Sequence, residues 1–470
     1  MLSIMTKKLF IAGFTAFFAA SCASIEVPDR PVKSANVVTV QTLPQQFFNG
    51  AGESLPMASH WWSGFNDPIL SKLIETALAE NRELNVAQSN IQIAQASLIR
   101  QQLETSYRTG SNAGINIGRS PTPNRIITAT ASGGLSASWE YDAFDRIASA
   151  IKAAELGVEA AEEAKRDVAV IVSSETALAF VDLRGAQKRL QVAGDNAETQ
   201  AQSLALLNDL LENGRATALD INRADAQYRT TLAQLPSFQA VIDGALSRLA
   251  VLTGGSASEP VSEITDLRAT ARPIPSVSAD IAMGTPADLI RRRPDIRAAE
   301  TEIARRLALG EIDRARLFPT ITLGLDLSAL FGGGNRLDQL SSFGFGLGPA
   351  ISWEGPDLRR VRADIKITDA ETERAYQVYE QTVLQALSDV EIALTELVNE
   401  RQRLSNLERA VVSARNAAEI AQLRFDEGID DFLDVLDAQR TLLEAEDRLA
   451  QNELQTTRLA ILTYRELGGT

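Results

Sequence analysis

Three aspartates near the C-terminus have a spacing that lets side chains act together. Asp430, Asp434 and Asp437 follow at i, i+4 and i+7, which is one face of a helix. Carboxylates gathered on one face favour cations over anions. A second reading is local: Asp431 and Asp434, at the start of a helix, cap it and complement its dipole. Little else in the 470 residues offers chemistry. One cysteine, Cys22, and one histidine, His60, exclude an internal disulfide, a Cys/His zinc site and a Cys-His nucleophile pair, and confine any Ser-His-Asp triad to that histidine. His60 stands beside Trp61 and Trp62 and is expected to be structural. "FGGGNR" from Phe331 has no following Lys-Ser/Thr to hold a phosphate and reads as a hairpin turn. Arg291, Arg292 and Arg293 at the head of a helix read as solvated or ion-paired structural arginines. No catalytic residue, metal site or non-covalent cofactor is assigned, and an enzyme is the remotest class. With 46 Lys+Arg against 61 Asp+Glu, a net charge of -15 and no basic cluster, a nucleic-acid partner is excluded.

The single cysteine has a telling position. Lys7 and Lys8, the apolar run Leu9 to Phe18, and Ala19-Ala20-Ser21 form a signal peptide over residues 1–21, too short to span a bilayer. Cys22 follows at once, in a setting that resembles a bacterial lipobox, with Ala19 where a larger aliphatic is commoner. Two readings stand: Cys22 is lipidated and becomes the new N-terminus, or it is an incidental cysteine behind an ordinary secretory peptide. A chain starting at Cys22 loses two cations and no acid, giving -15 - 2 = -17. No later apolar stretch reaches the ~20 residues of a transmembrane helix, so any membrane insertion must use strands.

The elements that would position these residues are written twice. Trp139-Glu140 recurs as Trp353-Glu354, 214 positions on, and the same spacing relates Gly214 to Gly428, Leu219-Asp220 to Leu433-Asp434, Ala224 to Ala438, and Gly254-Gly255 to Gly468-Gly469. Asp437 aligns with Arg223, so the two copies differ in charge at this point. The copies run over 68–255 and 285–470, after an N-terminal segment 22–67 and on either side of a Pro/Ser-rich connector, 256–284.

Each copy reads helix, two strands, long helix, helix. The first helix is expected over 69–107 and again over 287–317, the latter started by Thr285-Pro286. Ile321, Leu323, Leu325 and Leu327, then Phe343, Phe345 and Leu347, alternate with small or polar residues, as do Ile115, Ile117, Leu135, Ala137 and Trp139 more weakly. Trp139 and Trp353 end strands, either as interfacial aromatics or as packing residues. About 70 helical residues follow each Trp-Glu, ~105 Å at 1.5 Å per residue. Val383, Leu387, Val390, Leu394, Leu397 and Leu404 form a coiled-coil seam interrupted by Arg401. Gly214 and Gly428 suit the position just past a helix end, so each copy folds into a long hairpin with its tip there.

Four strands cannot close a membrane barrel, since the smallest use about eight, and open edges are not tolerated in lipid. The chain must pool strands with copies of itself; two copies give eight, three give twelve, and strand physics alone does not choose. A barrel opening into a helical sheath is a conduit.

With these elements in place, the sequence resembles the outer-membrane efflux protein family, the TolC-like trimeric channels, and specifically their lipoprotein branch in tripartite efflux systems. The matching segments are "WWSGFNDPILSKLIETALAENRELNVA" from Trp61, "ASWEYDAFDRI" from Ala137, "GTPADLIRRRPDIRAAE" from Gly284 and "DDFLDVLDAQRTLLEAE" from Asp430. The resemblance implies a mainly α chain with a membrane β-barrel: a homotrimer with a 12-stranded barrel, a 12-helix periplasmic α-barrel and an equatorial domain. It implies a Gram-negative outer-membrane location with a periplasmic extension, and a covalent lipid on Cys22 as the only added group. It places Leu433, Asp434 and Asp437, with Asp430 beside them, at a periplasmic constriction where several chains would form an acidic ring. Gly214, Arg215 and Gly428 would meet a periplasmic adaptor, and the third partner would be an inner-membrane pump of the RND type. The implied function is a passive exit duct for drugs, other small toxic compounds or metal ions. Protein secretion through a similar channel is an alternative. A coiled-coil structural lipoprotein is another, and it leaves the amphipathic strands unexplained.

Overall fold

Residues 60–119, 127–256, 264, 267–268, 272–276, 285–333, 336–355 and 357–469 are described by a computed structural model. Residues 1–21, Cys22, most of the segment 22–67 and much of the connector 256–284 lie outside them, as do the middles of both strand turns. The main helices and strands follow in two rounds of the same order: α1 (Pro68–Glu80), α2 (Arg82–Gln102), β1 (Arg108–Arg119), β2 (Ile127–Tyr141), α3 (Arg146–Glu212) and α4 (Ala218–Leu252), then α5 (Pro286–Arg292), α6 (Pro294–Ala315), β3 (Thr320–Gly333), β4 (Arg336–Ser352), α7 (Arg359–Asp426) and α8 (Phe432–Glu466). The long helices α3 and α7 run unbroken for 67 and 68 residues. No helix among the described residues is long and apolar enough to cross a membrane.

The expected single first helix of each copy is two helices. Arg293 leaves the helical region, at ψ 120°, because the ring of Pro294 disfavours that conformation in the residue before it. Asn81 does the same at ψ 134° without a proline. Its side-chain oxygen accepts from the backbone N–H of Glu83 at 2.8 Å and of Leu84 at 3.3 Å, which starts α2. Both breaks grip the end of the last helix in their own copy. The Asn81 amide donates to the Leu252 carbonyl at 2.9 Å, and Arg293 donates to the Glu466 carbonyl at 2.9 Å. Arg293 also pairs with Asp295 at 2.8 Å and with the Glu466 carboxylate at 3.1 Å, so one arginine of the Arg291–Arg293 run is a largely buried ion-paired clamp. The diglycine behind each contact allows it: at Gly254, φ is +80°, and a Cβ would sit 2.5 Å from the Glu80 carbonyl oxygen.

The chain divides into two units by its internal packing. One comprises Asn90–Glu162 and Ala298–Glu380 and contains a four-stranded antiparallel sheet in the order β1-β2-β3-β4. Strands of 12, 15, 14 and 17 residues exceed the ~9–11 that cross a membrane. Register sorts their side chains cleanly. Leu135 pairs with Leu327 and Leu327 with Phe345; Leu325 pairs with Leu347, and Ile321 with Ile351. The opposite face aligns Asn116 with Thr130, Gly110 with Ser136, Ser136 with Asp326 and Ser328 with Gly344. The apolar face is open, with Phe345 77% and Ile115 73% exposed. Below the strands, Leu317, Leu358, Val361 and Ile365 pack with Phe318 and Trp353. Both tryptophans bond the end of the preceding helical segment: the Trp139 indole donates to the Thr105 carbonyl at 3.1 Å and Trp353 to Leu317 at 3.0 Å. Each therefore fixes the strand to the helix that precedes it, a packing role, while Trp139 remains 42% exposed.

In this unit α6 and α7 are joined by a ladder of charges. Arg306 bonds Glu302 at 2.7 Å and Glu371 at 2.5 Å, Arg314 bonds Asp369 at 2.7 Å, and Arg316 reaches Asp364 at 2.9 Å and Glu354 at 3.2 Å. Burial would raise the Glu302 carboxyl, but hydrogen bonds from Arg305 and Arg306 outweigh it and hold the group below the ordinary glutamate range.

The other unit comprises the described parts of Val38–Ser89 together with Glu163–Arg297 and Gln381–Thr470, and holds both hairpins. Ala77, Leu84 and Val172 pack together, and Phe180, Val181, Leu183 and Leu249 are fully buried. The α7 seam is buried at Val383, Ala386, Val390, Leu394 and Leu397, with Leu387 and Leu404 only half-buried at its margin. Trp61 stacks on Tyr464 at 5.4 Å, which pins the first described turn to α8, and His60 lies edge-on to Trp62 at 5.1 Å in that aromatic group.

Candidate functional site

The two hairpin tips are made by the same backbone device. Past α3, Gly214 takes φ +73° and donates its N–H to Leu211 O, while Arg215 N–H reaches back to Leu210 O. Past α7, Gly428 takes φ +71° and donates to Phe425 O, and Ile429 N–H reaches Arg424 O. These paired bonds close the last carbonyls of each helix and require a left-handed residue, which glycine supplies at no steric cost. Gly214 and Gly428 are exposed, and a Cβ on either would meet nothing within 4 Å, so only backbone conformation demands glycine there. Arg215 is exposed and forms no ion pair among the described residues.

The tips touch through an apolar cluster. Leu207 and Ala224 from the first hairpin pack with Phe432 and Val435 from the second, flanked by Ile221, Phe425 and Leu436. Burial of Phe432, Val435 and Gln439 on one side of α8 leaves Leu433, Asp434 and Asp437 exposed on another.

Asp430 does not share that helical face. Helix α8 starts at Phe432 with Asp431 as its N-cap, the Asp431 carboxylate accepting from Leu433 N–H at 2.9 Å. Asp430 therefore lies in the turn, where the backbone folds back on the end of α7, and it is held by Arg424 through bonds of 2.5 and 2.8 Å. These bonds keep its carboxyl below the ordinary aspartate range. Asp437 pairs with Arg440 at 2.6 Å. Of the three aspartates only Asp434 lacks an ion pair among the described residues.

The N-caps of the two hairpins differ chemically, and so does the state of the acid at the third helical position. In the first hairpin the cap is Thr217, whose hydroxyl donates to the Asp220 carboxylate at 2.6 Å while Asp220 N–H donates back at 3.3 Å. This capping box binds the acid at the third helical position. In the second hairpin the cap is Asp431, which has no hydroxyl to donate; Asp434 at the same third position makes no capping-box bond among the described residues and is exposed. Thr217 and Asp220 have the three-residue spacing of a capping box, a signal that the alignment of Asp220 with Asp434 did not bring out. The capture of Asp430 by Arg424 was not legible in the sequence, because it depends on the turn closing. No group of three His, Cys, Asp or Glu side chains among the described residues could hold a metal ion.

Known proteins share this architecture. The family profile described as outer membrane efflux protein matches residues 73–255 and 285–468. Nodulation protein T of Rhizobium leguminosarum bv. trifolii is 29% identical over 423 residues, covering 87% of this chain and 88% of its own. The toluene efflux pump outer membrane protein TtgF of Pseudomonas putida is 28% identical over 422 residues, 87% and 85% of the two chains. Among solved structures, the outer-membrane channel OprN is similar with a TM-score of 0.82 and 33% identity, over 95% of this chain and 98% of that one.

Proposed function

The chain belongs to the outer membrane efflux protein family and is an outer-membrane channel for efflux, and from this premise we propose how it is assembled and what it passes. Three copies pool their four-stranded sheets into one 12-stranded barrel, and their hairpins continue it as a 12-helix periplasmic sheath with an equatorial belt. The observation that carries this is the sheet itself. Its apolar face is exposed in the single chain, its other face is mainly Gly, Ser, Thr and Asn around Asp326, and β1 and β4 each have one edge unpaired among the described residues. Such a sheet is at rest only with lipid on one face, water on the other and both edges satisfied by neighbours.

The duct is passive, its energy supplied by an inner-membrane pump of the RND type through a periplasmic adaptor that meets Gly214, Arg215 and Gly428. Leu433, Asp434 and Asp437 narrow the periplasmic mouth, with Asp430 bracing the turn beside them. Cys22 carries the lipid that anchors the chain. The cargo is small toxic compounds, in keeping with the relative named for toluene efflux. The mass of the detergent-solubilised particle tests the assembly: three mature chains are expected, each lighter by residues 1–21 than the 50.8 kDa of the full sequence, and a stable monomer would rule it out. Palmitate labelling should vanish in Cys22→Ser, and its persistence would remove the anchor.

A further inference from the structure

We infer that Asp326 gives the membrane-spanning part of the duct a preference for cations, so that cationic and neutral compounds pass it more readily than anionic ones. This rests on the pooled barrel proposed above. Asp326 lies in the middle of β3, six residues from Thr320 and seven from Gly333. Its register partners are Ser136 and Gly346, and its neighbours on the same face along the strand are Gly324 and Ser328. The diagonal positions are Gly134, Ser138, Gly344 and Gly348. A Cβ built on Gly346 or Gly348 meets nothing within 4 Å, and on Gly324 only a backbone oxygen at 4.0 Å. Asp326 thus stands on a floor of backbone and serines, exposed, with no cation paired to it among the described residues.

The other charges of this face are neutralised among the described residues. Arg108 and Glu140 share it by strand parity, but Arg108 pairs with Glu104, and Glu140 with Arg146 at 2.9 Å. On β1 the face carries Asn112 and Asn116, so among the described residues the uncompensated charge comes from the second copy of the repeat. The reverse face at the same level carries Leu325, Leu327, Leu135, Phe345 and Leu347. Turning an ionised carboxylate toward lipid is costly, so the Asp326 face is the one that meets water. In a closed barrel of identical chains the Asp326 carboxylates stand at one height, and a ring of carboxylates in a pore attracts cations and repels anions.

Reversal potential under a KCl gradient in a planar bilayer, with the purified full chain, tests this. The unsubstituted channel should be cation-selective. In Asp326→Asn the K+/Cl- permeability ratio should fall about two-fold or more near 10 mM salt, where screening extends ~30 Å, and change little at 1 M, where it extends ~3 Å. The same fall is expected in a background carrying Asp434→Asn and Asp437→Asn, which separates the barrel from the periplasmic mouth. In Asp326→Cys, a negatively charged methanethiosulfonate should restore cation preference and a positively charged one reverse it. Leu325→Cys, on the apolar face, should respond to neither. A conducting Asp326→Asn channel with unchanged selectivity, or reaction at Leu325→Cys but not at Asp326→Cys, would overturn the inference. An unsubstituted protein that never conducts would instead sink the channel reading beneath it.

Discussion

The two hairpin tips share a turn and a register yet differ in what the acid at the third helical position does. In the first, Thr217 engages Asp220, and the tip closes on itself. In the second, no capping bond reaches Asp434 among the described residues, an arginine takes Asp430, and one carboxylate is left facing solvent. A duplicated chain can therefore keep its architecture through repeated glycines while changing the electrostatics of one copy through the residues around them: Arg424, Asp430 and Asp431 stand where Leu210, Ala216 and Thr217 are. The sheet unit repeats the pattern. The second copy has the charge ladder between α6 and α7, whereas 212 and 214 positions earlier Asn90, Ile93, Ala94 and Gly157 stand where Glu302, Arg305, Arg306 and Glu371 are, with Ile93 67% exposed. The first copy is neutral at these four positions, although Glu104, Glu140 and Glu155 stand where Arg316, Glu354 and Asp369 are in the second.

The largest expected break in this symmetry is at the diglycines. Gly254→Ala combines a left-handed backbone with a clash against the Glu80 carbonyl and should cost roughly 2–5 kcal/mol. Gly468→Ala, φ +93° but with nothing nearer than 3.4 Å, should cost only about 1–2 kcal/mol. Urea denaturation midpoints compare them directly, and equal costs would show that the docking of the two helix ends is alike. Next in size, Glu302→Gln removes the hub of the ladder and should lose about 1–2 kcal/mol, less in high salt, because two arginines lose an ionised partner that is partly solvated. Asn90→Ala, an exposed site at the corresponding position of the first copy, should stay within about 0.5 kcal/mol.

Thr217→Ala should cost about 1 kcal/mol through the lost cap, read from local hydrogen exchange at the first tip. Thr217→Asp should nearly conserve stability while freeing Asp220, so the first tip would gain the exposed acid that distinguishes the second. The smallest effect concerns pH. The Asp430 carboxyl is depressed by Arg424, so the pair's contribution is present above the unfolded aspartate value of ~3.9 and is lost as pH falls through the lower folded value. Arg424→Ala should return Asp430 to the ordinary range with the fold unchanged at neutral pH. Carboxyl chemical shifts across an acid titration would show this, and an unmoved Asp430 would mean that the link does not operate.

Alternation and glycine placement made much of this readable from the chain alone. Leu325 and Leu327, Phe343 to Leu347, and the weaker Ile115 and Ile117 do share a sheet face, because a period of two leaves a strand no other way to sort them. Gly214 and Gly428 end their helices because no other residue takes that backbone conformation so cheaply. The helix break at Asn81 was not legible, since an asparagine between helical runs is equally at home inside a helix when no partner such as Leu252 is known. Pro294 carries a signal for the matching break at Arg293, masked by the helical pattern on both sides of it. Placing Asp430 on the helical face failed for a related reason: spacing assumes a continuous helix, and the cap at Asp431 interrupts it.

Stepwise conductance of the purified, full-length protein in a planar bilayer tests the channel assignment most directly. Discrete ion-conducting steps are expected from the inserted protein, altered when Asp434→Ala and Asp437→Ala change the periplasmic mouth. Protein that inserts but conducts in neither form would contradict it.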